Sequence, residues 1–331
     1  MRQYAIAKHL LDVPNHRSSH QTPTPRGGGV AFVAVFLIII LCLSYLNIII
    51  WSNYIAIMLA GLFIAFIGFC DDRSSLSARW RFIGHFSASI FVLYCMKKVP
   101  AITFYTWTLA PGYVAAIFFV FYLVWMLNLY NFMDGIDGLA AVEAITICFG
   151  IGILYWYTGH YHAMTLVFIL AVIMSGFLYW NFPPARIFMG DAGSGFLGFI
   201  LGVLSIQSIS MSKNFFWSWL ILLGFFIVDA TFTLLTRLTQ RERIYTAHRN
   251  HAYQHAASIF KSHLSVTLGV GALNIFWLWP LAMLVGMGYI NGLIGLVTAY
   301  CPLCILVWQF EAGNKCFPIV EQPMPMSLCC K

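Results

Sequence analysis

Long apolar runs alternate with short polar stretches along almost the whole chain. The ten runs cover residues 27–50, 53–70, 80–96, 112–128, 136–157, 162–180, 188–209, 215–238, 264–286 and 290–310. Each approaches the roughly 20 residues that an α-helix needs to cross the hydrocarbon core of a bilayer. The pattern therefore predicts an all-α fold, a polytopic membrane helix bundle with about ten transmembrane helices.

The composition strengthens this prediction. Hydrophobic residues make up 61% of the 331 residues and charged residues only 9%, whereas an ordinary soluble domain carries about 25% charged residues. Because so few charges cannot cover a protein of this size in water, we interpret residues 1–331 as a single integral membrane domain. The tail from residue 314 to 331 is rich in Cys, Met and Pro, and no role is assigned to it.

The distribution of positive charge predicts the orientation in the membrane. The net charge is +7, and of the eighteen lysines and arginines only Lys97, Lys98 and Lys213 fall on the side opposite the N-terminal loop. Cytoplasmic loops of membrane proteins carry such an excess, so we expect a lipid bilayer and no nucleic acid as partner. The cytoplasmic segments are then 1–26, 71–79, 129–135, 181–187, 239–263 and the C-terminus.

A polar stretch between the fourth and fifth runs carries the strongest sign of chemistry. Its amide and carboxylate side chains, each three positions from the next, are Asn128, Asn131, Asp134 and Asp137. Residues three apart lie near one face of a helix, and polar groups beside membrane-length apolar runs are costly unless they serve a function. A polar turn between two helices is the alternative, but a turn does not require four such residues in register.

Three further acids fall at the predicted cytoplasmic ends of helices. Asp71 and Asp72 are adjacent, so at least one requires a cation or a proton, although a solvated loop pair explains them equally well. Asp191 lies in a Gly-rich stretch that opens the seventh run. A helix N-terminus there favours phosphate, and the carboxylate can hold Mg²⁺. The alternative for Asp191 is a cap on a packing helix.

The longest cytoplasmic loop is basic and contains three histidines. His248, His251 and His255 share one helical face, beside Arg249. Three such histidines can bind zinc, or they can bind phosphate or sugar together with the arginines. Because the surroundings are basic, we favour an anion or sugar site over a metal cation. An amphipathic helix at the membrane surface is a further interpretation, compatible with the anion site.

Two acids lie inside apolar runs. Asp229 is in the eighth run and Glu143 is in the fifth. A buried acid in a membrane protein usually faces the bundle and has a partner. Each either pairs with a neighbouring helix or contributes to the floor of a site, and the sequence does not choose between these.

Taken in order, the motifs resemble those of a known family. They are Asp71-Asp72, the stretch 128–138, the stretch 190–194 and the loop 248–251, and the loop 17–29, which contains Arg26, adds to the likeness. With these motifs the chain resembles the polyprenyl-phosphate N-acetylhexosamine-1-phosphate transferases, glycosyltransferase family 4, and most of all the bacterial branch that primes O-antigen or related surface glycans. The similarity covers essentially residues 8 to 310. Family members usually begin with one more membrane helix, so we expect such a helix before Met1.

The resemblance implies a reaction and its partners. An N-acetylhexosamine-1-phosphate passes from a UDP-sugar to undecaprenyl phosphate, giving undecaprenyl-diphospho-sugar and UMP. The implied cofactor is Mg²⁺, with Mn²⁺ as a substitute. The implied location is the bacterial inner membrane, multi-pass, with the active site on the cytoplasmic face. The resemblance does not decide which sugar is transferred: GlcNAc, GalNAc, FucNAc and QuiNAc all remain candidates. It also leaves open whether the protein forms a homodimer.

The same resemblance implies roles for individual residues. The expected metal ligands are Asn131 and Asp191. The expected catalytic residues are Asp71 and Asp72 at the lipid phosphate, with Asp134 and Asp137 at the nucleotide or beside the metal. The expected substrate-binding residues are Asn128, His248, Arg249 and His251. A proton-coupled membrane transporter that uses the intramembrane carboxylates is the alternative function, although transporter acids lie near the midplane rather than at one face.

Overall fold

The computed structural model describes residues 1–8, 10–12, 22–46, 51–74, 76–96, 99–104, 107–242 and 249–314. Its helices are α1 (Arg2–Ala7), α2 (Gly29–Tyr45), α3 (Trp51–Ser74), α4 (Ala78–Cys95), α5 (Tyr113–Met133), α6 (Leu139–Tyr157), α7 (Tyr161–Asn181), α8 (Asp191–Ser208), α9 (Lys213–Leu222), α10 (Gly224–Thr239), α11 (Ala252–Phe260), α12 (His263–Leu273), α13 (Trp279–Gly286) and α14 (Gly292–Gln309). A π-helical segment, Asn274–Leu278, joins α12 to α13. Short antiparallel strand pairs are formed by β1 (Leu11–Asp12) with β2 (Thr24–Pro25) and by β3 (Ile102–Phe104) with β4 (Trp107–Leu109).

The predicted fold class is confirmed, because each of the ten apolar runs contains helix and the described chain forms an all-α bundle. The predicted number of about ten membrane-spanning helices is not matched. Among the described residues, six helices are long and apolar enough to cross a membrane, if α12, the π-helical segment and α13 are counted as one helix, His263–Gly286. The number rises to seven if α9 and α10 form one span. Those two helices meet at a bend of 67°.

Three predicted spans fall short for separate reasons. Helix α2 has 17 residues. Helix α4 carries two arginines and a histidine in its first half. Helix α8 begins with Asp191 and is rich in glycine and serine, which lowers its mean hydropathy. Counting apolar runs gives too many spans because it ignores the length of the helix and the polar residues within it.

Helix α8 holds the N-terminal half of the bundle together. Nearly all of its side chains are buried, and it packs against α2, α3 and α5. Its glycines allow this close approach: a Cβ on Gly198 would lie 2.5 Å from the Met126 carbonyl oxygen, and one on Gly193 would lie 2.6 Å from the Gly29 Cα. Small residues at such crossings let membrane helices pack without a hydrophobic driving force between them.

Glu143 belongs to a buried hydrogen-bond network between two helical segments of the bundle. Its side chain in α6 is fully buried, and its Oε2 accepts a hydrogen bond of 2.6 Å from Asn274 Nδ2, at the start of the π-helical segment. The same Nδ2 donates to Thr146 Oγ1 at 2.7 Å. Of the two roles considered for Glu143, these contacts favour pairing with a neighbouring helix.

Substituting Gly68 of α3 tests the contact between α3 and the start of α8. A Cβ on Gly68 would lie 2.4 Å from the Asp191 carbonyl oxygen and 2.5 Å from the Ala192 nitrogen, so Gly68→Ala must displace backbone. We expect a loss of about 1–3 kcal/mol, measured as a lower midpoint of thermal unfolding in detergent. Gly176→Ala in α7 is the matched control, because a Cβ there meets nothing within 4 Å. Equal midpoints for the two variants would contradict this contact.

Candidate active site

The carboxylate of Asp72, near the end of α3, caps the N-terminus of α8. Its Oδ1 accepts a hydrogen bond of 3.0 Å from the Asp191 N–H, and its Oδ2 accepts one of 3.3 Å from the Ala192 N–H. Backbone N–H groups at a helix start lack partners within the helix. The cap therefore satisfies two of them and brings two acidic residues, Asp72 and Asp191, side by side.

Arg26 lies between these two carboxylates. Its Nε is 2.8 Å from Asp72 Oδ1, and its Nη2 donates to Asp191 Oδ1. The backbone on either side of Arg26 is fixed against the segment before α8, since Gly28 N–H donates to the Phe188 carbonyl at 2.9 Å. Burial alone would lower the pKa of Arg26, but the neighbouring carboxylates outweigh it and the pKa is raised. The arginine therefore stays charged in this position.

Asp71 has its own arginine. Its Oδ2 is 2.7 Å from Arg81 Nη1 of α4, and its Oδ1 accepts a hydrogen bond of 2.6 Å from the Leu76 N–H. Arg81 Nη1 also lies 3.8 Å from Asp191 Oδ2. Two guanidinium groups thus hold three carboxylates together, so the predicted need of Asp71 and Asp72 for a cation is met by Arg81 and Arg26.

The last turns of α5 complete this cluster. Asn131 Nδ2 donates to Ser194 Oγ at 3.0 Å, and the Asn131 side chain lines the same cavity as Asp191. Asn128 Nδ2 donates to the Val124 carbonyl of its own helix at 2.6 Å. Both asparagines line a narrow cavity together with Asp71, Arg81 and Asp191. The spacing of three therefore does place both amides on the face that meets α3 and α8.

Asp134 is the residue just after α5, and the charges of Arg26, Asp72 and Asp191 act on its carboxyl group. Withdrawal from bulk water raises the pKa of Asp134 well above its ordinary range. Arg26 opposes that shift, and the carboxylates of Asp191, Asp72 and Asp137 add to it. A carboxyl group with a raised pKa is suited to hold or exchange a proton near neutral pH.

Asp137 is engaged elsewhere in the turn between α5 and α6. Its Oδ2 accepts a hydrogen bond of 3.0 Å from the Ala185 N–H, its backbone N–H donates to His263 Nδ1 at 3.4 Å, and its carbonyl accepts one of 2.8 Å from Thr267 Oγ1. Helix α5 ends at Met133, so helical spacing no longer fixes the direction of a side chain four residues later. Asp137 consequently joins the turn to α12 and to the segment before α8.

The predicted histidine loop is described from Arg249 onward, and His248 lies outside the described residues. His251 is the N-cap of α11, where its Nδ1 is 3.1 Å from Asp229 Oδ1. His255 instead lies near the end of α14, where burial lowers the pKa of its imidazole. These two histidines thus have different partners rather than a common ligand.

Tyr253 joins α11 to the end of α5. Its hydroxyl donates to the Phe132 carbonyl at 2.9 Å. A Cβ on Gly135 would lie only 2.1 Å from the Tyr253 hydroxyl oxygen, so the two segments are in close contact. The charges of Asp134 and Arg249 both act on this hydroxyl. The start of α11, with half-buried Arg249 and buried His251, therefore lies beside Asp134 at the same end of the bundle as the carboxylates.

The acidic cluster has the donor chemistry for a divalent cation. In the described part of the chain, no three His, Cys, Asp or Glu side chains are arranged as a complete metal site. Mg²⁺ is usually bound through one or two carboxylates, with phosphate oxygens of the substrate and water supplying the remaining ligands. Asp191 with the amide oxygen of Asn131 fits this pattern, and the guanidinium of Arg26 already occupies a cation's place between Asp72 and Asp191.

Sequence reasoning missed several members of the site. It counted Arg26 as a cytoplasmic charge and as part of a loop that resembles the family, but it gave Arg26 no role, and it did not single out Ser194 or His263. For Arg26 a signal existed, because Arg26 directly precedes three glycines, Gly27 to Gly29, whose backbone can approach another segment closely. For His263, at the start of the ninth apolar run, the sequence offered no comparable sign.

Comparison with known proteins adds an independent finding. The sequence profile described as Glycosyl transferase family 4 matches residues 54–209. This range includes Asp71, Asp72, Asp191 and the polar end of α5, but neither Arg26 nor the histidine loop.

Three relatives illustrate the wider similarity. The probable undecaprenyl-phosphate N-acetylglucosaminyl 1-phosphate transferase of Bacillus subtilis is 28% identical over 268 residues, which cover 80% of this chain and 74% of the relative. The decaprenyl-phosphate N-acetylglucosaminephosphotransferase of Mycobacterium tuberculosis is 31% identical over 318 residues, covering 84% of this chain and 75% of that protein. The phospho-N-acetylmuramoyl-pentapeptide-transferase of Nautilia profundicola is 30% identical over 227 residues, covering 59% of this chain and 63% of that protein.

Removing Arg26 tests whether the cluster is a cation site. In Arg26→Gln the carboxylates of Asp72 and Asp191 lose their shared charge, and we expect a loss of about 1–3 kcal/mol in stability. Millimolar MgCl₂ should raise the thermal unfolding midpoint of this variant more than that of the wild type, because the ion replaces the missing charge. Arg79→Gln, at an exposed arginine of α4, is the control and should behave as wild type. A variant that MgCl₂ stabilises no more than the wild type would contradict a cation site here.

Proposed function

Because the chain belongs to glycosyl transferase family 4, the polyprenyl-phosphate hexosamine-1-phosphate transferases, we propose that it transfers an N-acetylhexosamine-1-phosphate from a UDP-sugar to undecaprenyl phosphate. The products are undecaprenyl-diphospho-sugar and UMP. In the cell this is the priming step of O-antigen or a related cell-envelope polysaccharide, at the cytoplasmic face of the bacterial inner membrane. The observation that carries the proposal is the meeting of carboxylates from α3 and α8 with the polar end of α5, at one end of the bundle.

A site at one end of the helices suits a reaction between a lipid and a nucleotide. The isoprenoid chain of the carrier stays in the bilayer while its phosphate reaches the end of α3, and the UDP-sugar approaches from water. Arg26, Arg81 and Arg249 supply positive charge for the phosphates of both reactants. A transporter is less well supported, because Glu143 and Asp229, which lie deeper in their helices, are hydrogen-bonded to neighbouring segments.

The proposed step is a displacement at phosphorus. An oxygen of the carrier phosphate attacks the sugar-linked phosphorus and forms a new P–O bond. The bond from that phosphorus to the oxygen shared with the UMP phosphate breaks, and UMP leaves with the bonding electrons. A carrier phosphate that enters protonated gives its proton to Asp71 or Asp72. Since one diphosphate linkage replaces another, the reaction is close to thermoneutral and reversible.

Residues of the acidic cluster would hold the magnesium ion. Asp191 and the amide oxygen of Asn131 would be its protein ligands, and Mn²⁺ would be accepted by the same oxygen donors. When bound, the ion neutralises the diphosphate and the leaving UMP. Asp134, on which the charges of Asp191 and Asp72 act, would support these ligands or meet the nucleotide, whereas Asp137 would act by fixing the turn through Ala185.

The start of α11 forms the opposite, basic side of the site. Arg249 offers a planar guanidinium, which can hold two phosphate oxygens at once, and His251 lies beside it. His248 belongs to the same proposal although it lies outside the described residues. Asn128 would contribute from the cavity next to Asn131. Together these groups would orient the diphosphate and the sugar against the carrier phosphate.

The choice of sugar is a finer part of the proposal. Two of the relatives are named for N-acetylglucosamine, and we take UDP-GlcNAc as the first candidate, with GalNAc, FucNAc and QuiNAc as alternatives. The names specify a carrier and a sugar, not the polymer that is built on them. The O-antigen role therefore rests on the sequence resemblance alone.

Exchange of UMP tests the reaction. Purified protein should incorporate labelled UMP into UDP-sugar when undecaprenyl-diphospho-sugar is present. EDTA should stop this exchange, and Mg²⁺ or Mn²⁺ should restore it. Asp191→Ala and Asn131→Ala should lower the rate by ~10³-fold or more, because each removes charge stabilisation of several kcal/mol. Glu311→Gln, at an exposed acid after α14, is the control and should keep wild-type exchange.

The sugar panel comprises UDP-GlcNAc, UDP-GalNAc, UDP-FucNAc and UDP-QuiNAc in the forward direction. Absence of metal-dependent transfer with every sugar, in protein that is monodisperse in detergent, would overturn the proposed function. Near wild-type exchange by Asp191→Ala would instead assign the metal to Asp134 or Asp137.

A further inference from the structure

Asp229 is a fully buried acid that points to the basic side of the site. It lies in α10, with no exposed side-chain surface. Its carboxylate accepts hydrogen bonds from the Ala252 N–H at 3.1 Å, the Tyr253 N–H at 3.0 Å and Thr233 Oγ1 at 3.1 Å. Its Oδ1 is also 3.1 Å from His251 Nδ1. Four polar groups thus meet one carboxylate, three of them from the start of α11.

The carboxylate of Asp229 lies in α10 but caps the N-terminus of a different helix, α11. The first N–H groups of α11 have no acceptor within the helix. Asp229, which belongs to α10, accepts hydrogen bonds from two of these groups, and it precedes their residues by 23 and 24 positions in the chain. A negative charge at a helix N-terminus is also favoured by the helix dipole. The position of α11 relative to α10 is therefore set by Asp229.

His251 and Tyr253, which lie against Asp229, also contact the end of α5 beside the acidic cluster. The rings of His251 and Tyr253 stack with their centroids 5.6 Å apart, and the ring of Phe132 is 6.3 Å from that of His251. The Tyr253 hydroxyl donates to the Phe132 carbonyl, two residues before Asp134. A displacement of the start of α11 would thus move His251 relative to the end of α5.

We propose that Asp229 is the positioning residue of the basic side: it caps the first turn of α11 and so holds His251 toward the diphosphate of the sugar nucleotide. This inference rests on the proposed transfer reaction and adds a residue that none of the motifs identified. Asp229 itself does not touch the substrate.

The contact also fixes the direction of the imidazole ring. The carboxylate of Asp229 lies 3.1 Å from Nδ1, so this ring nitrogen faces α10. The other ring nitrogen, Nε2, is then the one that serves the substrate. In this arrangement Asp229 acts on the nucleotide only through His251.

Asp229→Asn removes one acceptor oxygen and the charge while keeping the size of the side chain. We expect UMP exchange to fall by about 10- to 100-fold, the scale known for groups that orient a metal-binding histidine through its second ring nitrogen. The KM for UDP-sugar should rise and the KM for undecaprenyl phosphate should not, because α11 lies on the nucleotide side. Asp229→Glu, which keeps both oxygens, should recover part of the lost rate.

A double-mutant cycle tests the route through His251. If Asp229 acts only by holding His251, then Asp229→Asn combined with His251→Gln should be no slower than His251→Gln alone. Glu143→Gln is the matched control, since Glu143 is another fully buried acid whose amide partner lies in a different part of the bundle. It should keep exchange and both KM values near those of the wild type. Multiplicative losses in the double variant, or an equal rise in both KM values, would overturn the inference.

Trypsin cleavage after Arg249 separates this inference from the proposed function. Cleavage should be faster in Asp229→Asn than in the wild type and in Glu143→Gln, because the cap holds the start of α11 whether or not the protein turns over. If the wild type shows no exchange with any sugar, the proposed function fails. The cleavage rates would still show whether Asp229 holds the start of α11. Equal cleavage rates in all three proteins would overturn the positioning role.

Discussion

The contact on which the site depends is the carboxylate of Asp72 against the first N–H groups of α8. This cap places Asp191 beside Asp72, and two adjacent carboxylates repel unless a cation lies between them. Arg26 supplies that charge and is itself held by the backbone contact of Gly28 with Phe188. The close packing of α8 on α3 and α5 then leaves the carboxylates little freedom to separate. One helix start thus fixes the acidic half of the site.

The basic half is built in the same way, from the start of another helix. Asp229 caps α11 as Asp72 caps α8, and Tyr253 joins α11 to the end of α5. Both helix starts therefore meet the polar turn that follows α5. Helix starts gather N–H groups and partial positive charge, and phosphates of lipid and nucleotide are anions. A site between two capped helix starts is accordingly suited to phosphate chemistry at a membrane surface.

Much of this arrangement could be predicted from the sequence, and the failures have physical causes. The apolar runs predict every major helix, but they overcount the spans because α2 is short and α4 and α8 contain polar residues. Helical spacing correctly placed Asn128 and Asn131 on one face, since both lie within the regular helix α5. It did not extend to Asp137, which lies beyond the end of α5. Arg26 and Asp229 act through contacts distant in sequence, and spacing within one helix cannot reveal such contacts.

Following the phosphorus atom is the most direct test of the central claim, that this site moves a sugar together with its phosphate. UDP-GlcNAc labelled with ³²P at the sugar-linked phosphate is incubated with the protein, undecaprenyl phosphate and Mg²⁺, and the lipid and aqueous phases are separated. We expect the label in the lipid phase as undecaprenyl-diphospho-GlcNAc, with unlabelled UMP in the water. If sugar enters the lipid while the label stays in water as UDP, the protein transfers the sugar alone, and the chemistry assigned to this site is wrong.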